Sequence, residues 1–231
     1  MMARAVGSSL LTYGMAMLLG GCGLAETTYR YRYRITVEVE TPAGLRSGSA
    51  VHETVVSKSN IDIGDLGPKR GMRTRGEAVA VDLPDGKALF VLIPEPGLVQ
   101  AALDPEWSND WLASAERISG GATPPGPMEI ALPADDGAET GKDGYPKLIE
   151  FTKSGDPKSV AAVDPRALDR NFGAGYRLRR IIVARTTDDL TKGIDAWLPS
   201  FGPETQFDQW SRTIPYGDPR GISKNDFKSE D

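Results

Sequence analysis

Tyr29-Arg30-Tyr31-Arg32-Tyr33-Arg34-Ile35-Thr36-Val37-Glu38-Val39-Glu40 alternates without a break, with aromatic or β-branched side chains at the odd positions and charged or hydroxylated ones at the even positions. Successive side chains of a strand point to opposite faces, so this stretch predicts one long strand with a buried face and a solvated face. Immediately after it, Thr41-Pro42-Ala43-Gly44-Leu45 combines a fixed-φ residue with a glycine. That pairing suits a three-residue hairpin loop. A second strand is then expected from about Leu45 to Ser57, with Thr41 opposite Leu45. This register sets Ile35 against Val51, Glu40 against Arg46 and Arg34 against His52, which places His52 on the solvated face.

Outward from the hairpin, Ile61 to Gly71 reads as a glycine-containing loop. Glu77 to Leu83 and Lys87 to Ile93, joined by Pro84-Asp85-Gly86, form a second hairpin. Its strands are apolar on both faces, as suits strands covered on both sides in the middle of a sheet. Gly97 to Ile118 carries two helical patterns, with Asp104 as N-cap and Pro105 at the first helical position. Trp107, Trp111, Leu112 and Ala115 fall at helical spacing and are expected to cover the sheet. Gly120 to Pro127 reads as a surface loop.

Met128 to Leu132 and Lys147 to Thr152 read as strands around an acidic loop. Asp164 to Gly173 reads as a capped helix, Tyr176 to Ala184 as a strand, and Thr187 onward as a helical stretch towards Trp197. The fold class that follows is α+β: a mainly antiparallel sheet built from hairpins, with short helices packed on one face. One globular domain is expected over residues 29–202, followed by a polar tail over 203–231 whose last ten residues are disordered.

The amino-terminal part has a different character. Arg4 precedes an uncharged, apolar run from Ala5 to Gly21 that is diluted by glycine and serine and is short for a membrane span. Leu19-Gly20-Gly21-Cys22 closes the run and resembles the bacterial lipobox. The resemblance implies that residues 1–21 are a signal peptide and that Cys22 takes a diacylglyceryl group on sulfur. Residues 22–28 would then form a lipidated tether. With Gly23 where the inner-membrane retention signal has Asp, the resemblance favours a periplasm-facing position on the outer membrane; secretion into the periplasm is the alternative. Several acyl chains hold a protein stably on a bilayer, whereas one binds reversibly. Cys22 is the only cysteine, so its acylation would leave neither a disulfide nor a thiol nucleophile. Val163-Asp164-Pro165 with Leu168, Phe172-Gly173-Ala174-Gly175 and the arginine-rich strand after it resemble a group of proteobacterial envelope lipoproteins that carries no assigned activity.

Candidate chemistry is sparse. His52 is the only histidine, so any general-base role rests on it alone, and no G-x-S-x-G elbow accompanies it. Asp135, Asp136, Glu139 and Asp143 offer oxygen ligands for calcium, but their spacing does not follow the EF-hand pattern. A carboxylate pair for glycan hydrolysis is set by distance in space and leaves no sequence spacing. Arg30, Arg32 and Arg34 share one strand face near the anchor, where anionic headgroups would attract them. Arg177, Arg179 and Arg180 form a second basic stretch suited to pairing with Asp188, Asp189 or other carboxylates. Trp107, Trp111, Trp197 and Trp210 are candidates to line a groove.

The formal charge of −5 supplies no footprint for nucleic acid, and no cofactor motif is present. The expectation is a membrane-anchored lipoprotein with a non-enzymatic binding or assembly role towards an envelope protein or the cell wall. The alternative is an Asp/Glu-dependent hydrolase of cell-wall glycan or peptide.

Overall fold

The computed structural model describes residues 26–62, 68–123, 126–132, 145–153, 156–198, 209–215, 218 and 220–229. Cys22 and the acidic loop with Asp135, Asp136, Glu139 and Asp143 lie outside the described residues. The alternating stretch is strand β1 (Thr27–Thr41), whose inward positions from Tyr31 to Val39 are all buried. It therefore starts two residues before the alternation, inside the segment assigned to the tether.

The hairpin that follows is tighter than the loop sequence suggests. Thr41 pairs directly with Gly44, leaving Pro42 and Ala43 as the turn. Thr41 Oγ1 closes it, donating to the Gly44 carbonyl at 2.7 Å and accepting the Ala43 N–H at 3.2 Å. Strand β2 (Gly44–Asp62) is thus one residue out of the expected register: Ile35 faces Ala50, Arg34 faces Val51, and Tyr33 faces His52. A one-residue slip moves every side chain of a strand to the other face, so His52 belongs to the interior.

Much of the expected loop from Ile61 to Gly71 is also strand, because β2 runs to Asp62 and β3 (Pro68–Glu77) pairs back along it. With β3 carrying few aliphatic residues, its own pattern gives little strand signal; the ladder to β2 forms it. β4 (Val79–Leu83) and β5 (Lys87–Val91) make the second hairpin as expected. Helix α1 (Pro96–Leu103) ends at Asp104, and α2 (Trp111–Ser119) is capped by Asp110, whose carboxylate accepts the Leu112 and Ala113 N–H groups. Asp104-Pro105 is therefore a helix end rather than a helix start. The Asp104 carboxylate is instead taken by Arg117, at 2.6 Å, which ties the end of α1 to α2.

β6 (Met128–Glu129), β7 (Leu148–Phe151) and β8 (Val160–Ala162) are short. Asp164 caps a turn by accepting the Arg166 N–H, and only Asp169–Phe172 (α3) is helical before Gly173. β9 (Arg177–Arg185) follows, and then an extended crossing with a single 3-10 turn at Ile194–Ala196 where a longer helical stretch was expected. The tail is not wholly loose: α4 (Lys224–Phe227) and β10 (Lys228–Ser229) bring Ile222 and Phe227 into the interior. Apolar residues spaced widely in a polar segment carry little sequence signal, yet each finds a cavity to fill.

Two antiparallel sheets result, one in the order β10-β3-β2-β1-β9-β6 and one in the order β4-β5-β7-β8. The larger sheet, the inner side of the smaller one and helices α1 and α2 share the main core, including Ile35, Val37, Val81, Leu89, Val99 and Ile118. The opposite side of the smaller sheet, with Phe90, Ile149 and Val160, is covered by Ile194, Ile222 and Phe227. The apolar character of β4 and β5 on both faces thus reflects a sheet sandwiched between layers. β4 itself is an edge strand of that sheet, not a central one.

The sheets meet closely at Gly48, where a Cβ would stand 2.1 Å from the Ala80 carbonyl oxygen. Backbone on both sides leaves no flexible group to move aside. Gly48→Ala should therefore destabilise the protein by about 3 kcal/mol or more, read as a lowered urea midpoint.

Candidate functional site

His52 is fully buried and stacks on Tyr33 with ring centroids 5.3 Å apart. Gly76 of β3 leaves room for the imidazole, since a Cβ there would meet His52 Cδ2 at 2.6 Å. Around it the inner face of the large sheet is unexpectedly polar. Thr54 and Thr74, paired across β2 and β3, share a hydroxyl hydrogen bond of 2.9 Å. The Tyr31 hydroxyl lies beside Thr54 and Gln100, and the Tyr33 hydroxyl beside Thr54 and Thr74.

Gln100 on α1 donates to the Trp111 carbonyl at 2.8 Å, joining this polar interior to α2. Both tyrosine oxygens, both His52 nitrogens and Gln100 Oε1 are buried without a hydrogen bond of good geometry. Burial raises both phenols, with Tyr33 pushed up to about 12. It pushes His52 down to about 4, against a smaller opposing pull from the backbone of Glu77 and Ala50. The imidazole is therefore neutral at pH 7, and no carboxylate is bonded to it as a catalytic triad requires.

On the outer face the arginines stand where the alternation puts them, each next to an acid. Glu53 sits almost fully buried between Arg30 Nη1 at 2.9 Å and Arg32 Nε at 3.2 Å, with Arg75 at 3.8 Å. Arg34 holds Asp188 at 2.8 Å, and Arg32 reaches Asp189 at 3.3 Å. Hydrogen bonds from Thr186 and then from Arg34 hold the Asp188 carboxyl below its ordinary range. These acids come from the crossing after β9, which continues to the edge of β2. There Thr191 Oγ1 accepts the Val51 N–H at 2.9 Å. The expected membrane-facing basic patch is thus interleaved with Glu53, Asp188 and Asp189, a partnership invisible in β1 alone.

The second basic stretch pairs across the sheet: Arg177 with Glu40 at 2.8 Å, Arg180 with Glu38 at 2.8 Å, and Arg179 with Glu38 at 3.5 Å. The tryptophans do not gather, since Trp111 packs on the main core, Trp210 on the second cluster, and Trp197 is exposed.

A surface cleft of about 140 Å³ lies between the start of α1, the approach to β7 and α4, and is lined by Leu98, Tyr145, Lys147, Glu95 and Asp226 among others. It is smaller than the several hundred Å³ typical of ligand pockets. Of its two carboxylates, Asp226 already accepts the Ser223 N–H at 2.6 Å in the capping box of α4. Among the described residues no cluster of three or more His, Cys, Asp or Glu is placed to hold a metal ion, and no helix is long and apolar enough to cross a membrane.

Comparison with protein-family models, with curated proteins and with solved structures finds no match to this chain.

Two consequences follow from the two faces. Below its ordinary value of 6.5, the unfolded chain protonates His52, whereas the folded chain resists until about pH 4. Its contribution is therefore fully present above pH 6.5 and is lost as pH falls towards 4, by on the order of 3 kcal/mol. His52→Phe should flatten the denaturation free energy across that window. On the outer face, Glu53→Ala leaves the partly exposed Arg30 and Arg32 without their shared carboxylate and should cost about 1–2 kcal/mol in urea denaturation, less in Glu53→Gln.

Proposed function

We propose that this chain is a lipid-anchored envelope protein whose globular domain works as a non-enzymatic binding or assembly component. The observation that carries the reading is the junction between Cys22 and the fold. β1 begins at Thr27, and five residues of fully extended chain span at most about 18 Å. An acylated Cys22 would hold the end of the large sheet close to the bilayer surface, presenting the rest of the domain to a neighbour in the envelope or to the cell wall.

The salt-bridged outer face also supports a binding reading. Glu38, Glu40, Glu53, Asp188 and Asp189 fix most of its arginines in place. A face of paired charges offers a partner oriented donors and acceptors, which favours selectivity over raw affinity. The hydrolase alternative rests on the two carboxylates of the Glu95 and Asp226 cleft.

Intact-mass and peptide analysis of the processed protein should find Cys22 as a diacylglycerol-modified amino terminus, and Cys22→Ser should move the protein out of the membrane fraction. An unmodified thiol on Cys22 would overturn the anchored reading. Crosslinking in the native envelope should recover a specific neighbour; degradation of cell-wall material by purified protein, abolished by Glu95→Gln, would favour the hydrolase instead.

A further inference from the structure

β3 ends at Gly76 and Glu77, and several separate structures converge there. His52 presses on Gly76. Gly76 and Glu77 pair with Ser229 and Lys228 of β10. The Glu77 carboxylate accepts the Ile194 N–H at 2.8 Å and faces Lys228 at 3.8 Å. Just past it, the Ala78 N–H donates to the Phe227 carbonyl at 2.7 Å, and the Ile93 N–H donates to the Asp226 carbonyl at 3.1 Å.

Residues 222–229 form a plug over the outer side of the smaller sheet. Phe227 is fully buried, stacked with Phe151 at 6.0 Å and edge-on to Phe90 at 6.2 Å. β10 contributes two residue pairs, and displacing Ile222 and Phe227 would uncover Phe90, Ile149 and Ala78 on the outer side of the smaller sheet. Segments joined by short ladders open at lower free energy than the core they cover.

We infer that His52 is the trigger of an acid-opened latch: protonation of the ring loosens the end of β3 and releases residues 222–229 from the groove of Phe90 and Phe151.

The reason is geometric. The charged ring carries two N–H donors in a place where neither nitrogen has a bonded acceptor. The backbone of Glu77 and Ala50 favours the charged ring, and Glu77 lies opposite Lys228. A protonated ring therefore draws on the same stretch of backbone that holds the latch. The ionisable groups at this corner are Tyr33, stacked on the ring, and Glu77, with Lys228 and Asp195 beyond it. Glu77 is engaged with Ile194 and Lys228 rather than with the imidazole. Tyr33 stays protonated throughout the acid range. The imidazole is thus the buried group at this corner that gains charge in acid, whereas the buried Glu77 carboxylate is paired with Lys228.

Amide hydrogen exchange of the full chain, corrected for intrinsic rates, tests the inference. Ala78 and Ile93 report the latch, and Val163, bonded to the Leu148 carbonyl at 2.9 Å, reports the main core. Between pH 6.5 and 4, protection at Ala78 and Ile93 should fall by about a hundredfold and stay below that of Val163, which exchanges only when the core itself opens. His52 is the only histidine, so its ring proton signals give its titration directly, and protection should fall over the interval between the ordinary imidazole value and the measured ring midpoint. His52→Phe should keep Ala78 and Ile93 protected at pH 4. Unchanged protection at Ala78 and Ile93 over this window, protection at these two amides no lower than at Val163 at every pH, or the same loss in His52→Phe would each overturn the inference. The wild-type comparison of the three amides decides the matter even if His52→Phe fails to fold.

Discussion

Burial of the odd-numbered face of β1 is the constraint from which the architecture follows. Tyr31, Tyr33, Ile35, Val37 and Val39 are almost completely removed from water, and apolar area is worth about 25 cal/mol per Å² when it is buried. A single sheet cannot cover that face, so the second hairpin, helices α1 and α2, and the Tyr176 region close over it. The smaller sheet then exposes its own far side, which the carboxyl-terminal residues cover in turn. Each layer creates the surface that the next one has to bury.

The same strand organises charge on its other face. Glu38 and Glu40 stand opposite Arg180 and Arg177 in the ladder, close enough for cross-strand pairs to form without long side chains bridging a gap. Towards the start of β1 the arginines have no acids in register on β9. Glu53 on β2 and the Asp188-Asp189 crossing supply them instead. The crossing also satisfies the free edge of β2 at Val51, where β3 no longer runs alongside, so one segment meets a backbone need and an electrostatic one.

Polarity inside the fold is concentrated where β2 and β3 approach each other. Thr54 and Thr74 pair neatly, whereas His52 fits by shape against Gly76 and Tyr33 without polar partners. A buried donor or acceptor left unmatched costs about 1–3 kcal/mol, so this corner is held against an energetic cost. It is also where β10 is fastened to β3.

Strand β1, the β4–β5 hairpin, β7, β9 and the two-helix segment were legible because their signals are local: alternation, apolar runs and turn residues are properties of consecutive positions. The α+β class follows from those elements alone. What sequence could not decide was anything set by one residue of turn geometry or by partners far along the chain. Whether Gly44 ends the turn or starts the strand changes no composition, yet it turns His52 from the solvated side to the interior. Similarly, the arginines of β1 look like a free basic face until Glu53, Asp188 and Asp189 are folded onto them. Ile222 and Phe227 look like residues of a loose tail until the groove they fill exists. Local periodicity determined which side chains turn inward; only the tertiary structure decided what they meet, because register and long-range pairing depend on the whole set of surfaces being buried together.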